Sequence, residues 1–413
     1  MSDVPEAVAA AHRREWAYVL AATVRLTRDL DTAEDAVQDA YVQALRTWET
    51  DGVPSRPGAW LTTVARRNAL NVMRRGRTLT AKLPLLLGPE EADMEAAVEI
   101  EVEIDTIPDD RLRLIFTCCH PALAREAQVA LTLRLVCGVA TPDIAQAFLV
   151  PEPTMAARLT RAKKKIAAAR IPYAVPAAGD LPPRLDAVLS VVHLLYATGH
   201  TAPSGGTLVR DELTARAVDL ARMLRLLLPA DREVAGLLGL LLANEARRAS
   251  RTSADGRLLR LDAQDRSLWD TSLVAEADRL VVSALTGGPP GRFALQAAIA
   301  CLHAQASSYS ATDWPQIVTL YDALLRVWPS PVVALNRAVA VSMVSGPEAA
   351  LAEIAALEED GRLAGYRYLP ATKADLLRRL GRDAEASEAY RAALALSDNA
   401  AEQEFLNDRL QSS

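Results

Sequence analysis

At 413 residues the chain is too long for one small domain and fits two to four; half of it is hydrophobic, enough for sizeable cores. A formal net charge of −6 excludes a protein that coats nucleic acid indiscriminately. Aromatic residues are scarce while Ala, Leu and Arg abound, and no alternating β-branched run with tight Asn-Gly turns occurs. The expected fold class is therefore all-α. Cys118, Cys119, Cys137 and Cys301 show no CxxC spacing, and Cys118-Cys119-His120 has no second ligand pair after it. They read as small buried hydrophobes, with no metal and no cofactor expected. The chain shows no N-terminal apolar segment, and its longest apolar run, Val234 to Ala243, is about half a membrane span. A reduced, cytoplasmic protein without a membrane contact is expected.

Residues 8–77 read as a first helical unit. Trp16, Val19, Leu20, Val24 and Leu26 give one apolar face, and Asp31-Thr32-Ala33-Glu34 is a capping-box pattern opening a second helix that runs through Trp48. On that helix Glu34, Asp35, Gln38 and Asp39 form a polar strip beside Ala36, Val37, Ala40 and Val42. A loop from Asp51 to Gly58 leads to a third helix, Ala59 to about Arg75. Its expected inward set is Trp60, Leu61, Val64, Ala65, Leu70 and Val72, with Arg66, Arg67, Asn68, Asn71, Arg74 and Arg75 largely outward. Charge is segregated along the chain. Arg56 to Lys82 holds seven bases and no acid, whereas Glu90 to Asp110 holds ten acids and no base. Residues 78–105 read as an acidic linker.

Residues 106–170 form a second small helical unit that ends in TPDIAQAFLVPEPTMAARLTRAKKKI, Thr141 to Ile166. Ile144, Ala145 and Phe148 mark the buried face of a short helix, which Val150-Pro151-Glu152-Pro153 ends, because the residue before a proline is pushed out of the α region. From Thr154 the stripe Met155, Leu159, Ala162, Ile166 resumes at helical spacing, with Arg158, Arg161, Lys164 and Lys165 off it. A compact helix pair with a basic second helix suits a DNA major groove; an ordinary helical hairpin with a solvated basic end is the other reading.

After a break at Ala177 to Pro183, residues 180–285 read as several leucine-rich helices. In 290–410 a weak repeat places Tyr321 and Tyr390 at about twice the 34-residue period of tetratricopeptide helix pairs, the last copy, Ala374 to Leu394, being the clearest. His193 and His200 read as structural.

Two basic helical units around an acidic linker resemble RNA polymerase sigma factors of the extracytoplasmic-function class. The resemblance covers residues 10–170 and rests on DTAEDAVQDAYVQALRTW (31–48), RPGAWLTTVARRNALNVMRR (56–75) and the helix-turn-helix. The rest looks like the group carrying a C-terminal tetratricopeptide-like extension. The resemblance implies core RNA polymerase and promoter DNA as partners, with Glu34, Asp35, Gln38 and Asp39 docking on the polymerase clamp helices. It implies that the loop Glu49 to Gly58 captures a flipped base of the −10 element. Arg56, Arg66, Arg67, Arg74, Arg75 and Arg77 would then hold phosphates, while Asn68 and Asn71 read base edges. Trp60 is available to stack, though a Trp at a helix start also suits a core. Thr154, Arg158 and Arg161 match positions that meet the −35 element, with Lys163, Lys164 and Lys165 as phosphate contacts. The chain departs from the pattern at Pro151, where a capping Ser is usual, and at Ala156, where a basic or polar residue is usual. A cap is worth about 1 kcal/mol. The linker would thread the polymerase channel as a negative strand, or act as a solvated tether. Tyr196 to His200 departs from the turn usual at this point of the related group, so no role follows for it.

Residues 184–413 are expected to regulate or support the sigma activity, their binding partner being a protein held by the C-terminal repeats, a small molecule or the sigma units themselves. A stand-alone helix-turn-helix regulator with a helical sensor domain is the alternative. A helical scaffold or enzyme built on residues 184–413 is a third reading, but no GxSxG, HExxH, P-loop or GxGxxG motif supports catalysis.

Overall fold

The computed structural model describes residues 4–82, 107–148, 150–177, 179–200, 204–205, 211–253 and 259–411. Most of the acidic linker lies outside them. Among the described residues are eighteen α-helices and one two-residue parallel strand pair, Ser204–Gly205 with Asp398–Asn399, so the expected all-α class holds. The chain divides into two compact units, Met1–Val191 and Val192–Ser413.

The first unit opens with α1 (Val4–Thr27), α2 (Leu30–Asp51) and α3 (Pro57–Lys82), each packed on the other two. Arg28, at φ 55°, turns the chain between α1 and α2. The Asp29 carboxylate then accepts the Thr32 N–H at 2.7 Å. The cap thus falls two residues before the expected Asp31. Because the helix already runs from Leu30, Glu34 is an interior residue and not a cap partner. The third helix is longer at both ends than the sequence suggests and takes in residues 78–82 of the expected linker. Pro57 suits its first turn, where its missing N–H costs nothing. Leu61, Val64, Ala65 and Ala69 are buried, but Leu70 is 42% and Val72 49% exposed, against expectation. Leu70 lies about half a turn off the Leu61–Ala65–Ala69 stripe, and none of residues 70–75 is buried.

The unit continues with α4 (Ile107–Cys118), α5 (Arg125–Leu131), a π-helical turn Thr132–Val136, α6 (Thr141–Ala147) and α7 (Glu152–Ala168). Cys118 and Cys119 are buried in it, and burial pushes the Cys119 thiol up to about 11. Next comes α8 (Leu181–His200).

In the second unit α9 (Asp211–Leu227) precedes α10 (Arg232–Glu245), α11 (Thr271–Leu285) and α12 (Arg292–Gln305). The apolar run Val234–Ala243 is buried along its whole length in α10, the behaviour of a helix apolar on every side. Two glycines let its neighbours in. A Cβ on Gly236 would lie 2.5 Å from the Ala294 nitrogen of α12, and one on Gly239 would lie 3.3 Å from the Ala277 carbonyl of α11. From α10, Glu233 accepts the N–H groups of Phe293 (2.9 Å) and Ala294 (3.1 Å), which are open donors in the first turn of α12. The unit then runs through α13 (Trp314–Val327), α14 (Pro331–Val344), α15 (Pro347–Asp360), α16 (Tyr368–Arg379), α17 (Asp383–Ala395) and α18 (Ala400–Gln411), each packed on the next. Arg337 of α14 reaches Asp322 of α13 at 2.7 Å and also pairs with Glu353 of α15. Among the described residues no helix is long and apolar enough to cross a membrane.

Burial lowers the imidazole pKa of His193 and His303 to about 4 and that of His200 to about 2. The unfolded chain protonates near 6.5, so between there and about 4 it binds protons that the folded unit refuses, and stability falls with pH. Each histidine contributes about 1.4 kcal/mol per pH unit below 6.5. Urea unfolding between pH 7 and pH 5 should show the second unit weakening steeply, and His200→Gln should flatten that slope.

Candidate nucleic-acid interface

The helix-turn-helix is present as the spacing predicts. α6 buries Ile144 and Ala145, and the Val150 N–H closes back on the Ala145 carbonyl at 3.0 Å. Pro151, extended at φ −57° and ψ 142°, starts α7 without a side-chain cap. Met155, Leu159, Ala162 and Ile166 are the buried stripe of α7. Thr154, Arg161, Lys164 and Lys165 are exposed, and Arg158 is half-buried at the edge. The face left to solvent thus carries three bases and the hydroxyls of Thr154 and Thr160 on one helix, a composition suited to phosphate and base-edge contacts.

α3 presents a second basic face. Arg56, Arg67, Asn71, Arg74 and Arg75 are exposed and Arg66 is half-buried. Asn68 is turned inward, donating to the Ala36 carbonyl of α2 at 3.4 Å, and Arg67 reaches Gln43 at 3.3 Å. Trp60 is half-buried with its ring edge-on to the buried Trp48, centroids 5.6 Å apart. One edge of the indole thus packs against the core. Leu70 and Val72 put exposed apolar surface among the bases.

On α2, Asp35, Gln38 and Asp39 are exposed. Burial, with the charges of Glu34 and Asp31, raises the Asp35 carboxyl above its usual range. Glu34 behaves differently. Its side chain is 5% exposed and lies between two cations of the second helical set: Arg134 Nε at 2.5 Å and Lys163 Nζ at 2.6 Å. Gln38 donates to it at 3.2 Å. Lys163 also reaches Asp31 at 2.7 Å. Burial alone would depress the Lys163 ammonium, but its hydrogen bonds to Asp31 and Glu34 outweigh that and hold its pKa above the usual lysine value. Two residues expected to face different partners, Glu34 and Lys163, are therefore brought together.

Sequence reasoning missed the rest of this contact. The Trp16 indole donates to the Leu135 carbonyl at 3.0 Å, and the Tyr173 hydroxyl lies 2.9 Å from the Ala21 carbonyl and 3.0 Å from that of Asp110. Gly138, at φ +68°, lies against His12 and Trp16 so closely that a Cβ would be 2.8 Å from the His12 ring. The available signal was Gly138 itself, a glycine two residues past a helical run, where a left-handed turn is expected.

Comparison with known proteins agrees with this geometry. Residues 12–78 match Sigma-70 region 2, residues 113–166 match Sigma-70, region 4, and residues 184–285 match a family of unknown function, DUF6596. An uncharacterized protein of Rhizobium meliloti (strain 1021) is 42% identical over 391 residues, spanning 95% of this chain and 92% of its own length. No solved structure matches the chain. The chain belongs to the sigma-70 family. A sigma-70 factor is a non-enzymatic initiation factor that recognises promoters, so its partners are core RNA polymerase and promoter DNA.

The two faces of α7 should separate in stability measurements. Met155→Ala opens a cavity in the buried stripe and should cost about 2–5 kcal/mol, whereas Thr154→Ala on the exposed face should stay within about 0.5 kcal/mol. Chemical denaturation of the two variants checks this.

Proposed function

We propose that the chain is a sigma factor of the extracytoplasmic-function class, acting in a bacterial cytoplasm, that grips a promoter at two points and assists its opening. Region 2 supplies the first point. Asp35, Gln38, Asp39 and Glu34 of α2 dock on the polymerase clamp. Arg56, Arg66, Arg67, Arg74 and Arg75 hold phosphates around the −10 element, with Asn71 toward base edges and Trp60 at the stacking position. Region 4 supplies the second, with Thr154, Arg158 and Arg161 toward the −35 element and Lys164 and Lys165 on phosphates.

The observation that carries this reading is the coincidence of the two basic helix faces, α3 and α7, with the two matched sigma-70 regions. Asn68 is the weaker base reader, since its amide is engaged with Ala36. Pro151 and Ala156 leave α7 fewer groups for base readout than the common pattern, so the −35 contact anchors while region 2 opens the duplex.

In this reading residues 180–285 form a helical extension domain and 290–410 tetratricopeptide-like repeats that bind a protein partner, and together they regulate or support the sigma activity. The starts of α13, α15 and α17 at Trp314, Pro347 and Asp383 support it, being spaced at about the 34-residue period of such helix pairs. Stacked helix pairs make concave surfaces suited to a partner protein.

Run-off transcription with core polymerase tests the reading. Specific transcripts that need both chain and core are expected. A chain that shifts promoter duplex strongly by itself and yields no transcript with core would instead favour the stand-alone regulator. In the holoenzyme, Arg75→Ala should flatten the dependence of log K on log salt by about 0.7–0.9, the value of one phosphate contact. An unchanged slope removes Arg75 from the DNA contact.

A further inference from the structure

We propose that the repeats of the second unit hold a pocket for an apolar group that ends in a single carboxylate, with Arg379 receiving the carboxylate. The proposal deepens the reading of residues 290–410 as partner-binding repeats, and it rests on that reading for its role but not for its geometry.

The cavity encloses about 290 Å³, at the small end of ligand pockets, which run from about 300 to 1,000 Å³. Three alternate helices line it, α14, α16 and α18, together with Leu259, Arg260 and Tyr309 from the connections before α11 and α13. Alternate helices of a stacked array share one surface, and such arrays bind along a surface of that kind. Most of the wall is apolar. Met343 of α14, Leu376 of α16 and Phe405 of α18 come from one helix each, and the methionine can adjust to the shape of what enters.

The polar side is uneven. Arg260 is already engaged: its fork grips Asp375, with Nη1 on one oxygen and Nη2 3.2 Å from the other. Burial alone would raise the Asp375 carboxyl, but the bonds from Arg260 outweigh it and hold it below its usual range. Arg379 has no such partner. Its Nη1 donates to the Ser342 hydroxyl at 2.8 Å and its Nη2 to the Ser342 carbonyl at 3.1 Å. Ser342 is buried and neutral, so among the described residues it orients the guanidinium without neutralising it. A guanidinium has five N–H donors, and three of these stay open on an exposed side chain.

Charge around the cavity points the same way. Arg260, Arg378 and Arg379 face Asp262 and Asp375, three cations against two anions, which leaves one positive charge. That excess matches a monoanion and disfavours a cation. The Tyr309 hydroxyl also lines the cavity, and its bond among the described residues is to the Met343 sulfur at 3.7 Å, a weak acceptor. Burial raises its pKa, so it keeps its proton at neutral pH and offers a second donor to a carboxylate at Arg379.

Calorimetry on the full chain tests this with two probes, hydrocinnamate and acetyl-glycyl-phenylalanine, each beside its carboxamide. Both present an apolar body and one carboxylate; the first stands for a free small acid, the second for the C-terminus of a partner chain. At least one acid should bind saturably and roughly ten- to a hundredfold more tightly than its amide, the worth of a hydrogen bond to a charged group. The tighter acid identifies the source. Arg379→Met should abolish the preference for acid over amide and leave the thermal midpoint nearly unchanged, because Arg379 is exposed. Val339→Trp, at a lining position 37% exposed, should block acid and amide alike by filling the apolar part. No saturable heat from either acid, equal affinity of acid and amide, or a preference that survives Arg379→Met overturns the inference. Run-off transcription separates it from the reading it deepens: binding that leaves transcript levels unchanged upholds the pocket and overturns the regulatory role of the repeats.

Discussion

A glutamate side chain with only 5% of its surface exposed has few stable settings, and Glu34 has found one: a guanidinium on one oxygen and an ammonium on the other. The first unit is arranged around that demand. The Asp29 cap starts α2 early enough to place Glu34 inside the helix, on the side where Arg134 and Lys163 arrive. α7 keeps its own apolar stripe buried and can still extend Lys163 sideways, because the residue after Ala162 lies at the stripe's edge. The pairing adds little net stability, since desolvation consumes most of the Coulombic gain, but a wrong register would leave the carboxylate unpaired. It specifies an arrangement more than it strengthens one.

Much of the architecture was legible because periodicity is a burial signal. The α7 stripe, the region 2 helices and the wholly apolar α10 follow from which residues recur on one face. The structure departs from the sequence reading where neighbours, not periodicity, decide. Val72 is in phase with Leu61 but exposed, in a stretch, residues 70–75, where no side chain is buried. The capping box at Asp31 failed because a competing carboxylate, Asp29, sits just upstream in an extended conformation suited to a cap.

Glu34 itself was legible in part. Leu30, Glu34, Val37, Tyr41, Ala44 and Trp48 recur at alternating spacings of four and three, so an acid stands in phase with a buried stripe. That phase says the carboxylate needs partners. It does not say which, because Arg134 and Lys163 lie about a hundred residues or more away and only the tertiary fold brings them near. The same limit hid Trp16 with Leu135 and Tyr173 with Ala21, each a side chain donating to a distant backbone carbonyl that no spacing rule marks.

Within the first unit regions 2 and 4 are joined by the Glu34 ion pairs and the Trp16–Leu135 hydrogen bond. The second unit has its own core, with α10 at the centre of its first helices. The most direct measurement of the central claim is the distance between spin labels or fluorophores placed at exposed Arg46 of α2 and exposed Ala167 of α7, read in the free chain and again with core polymerase bound. The account predicts one short, narrow distribution in the free chain that lengthens by tens of ångström in the holoenzyme. A distance already long and broad in the free chain, or one unchanged by core, would contradict it.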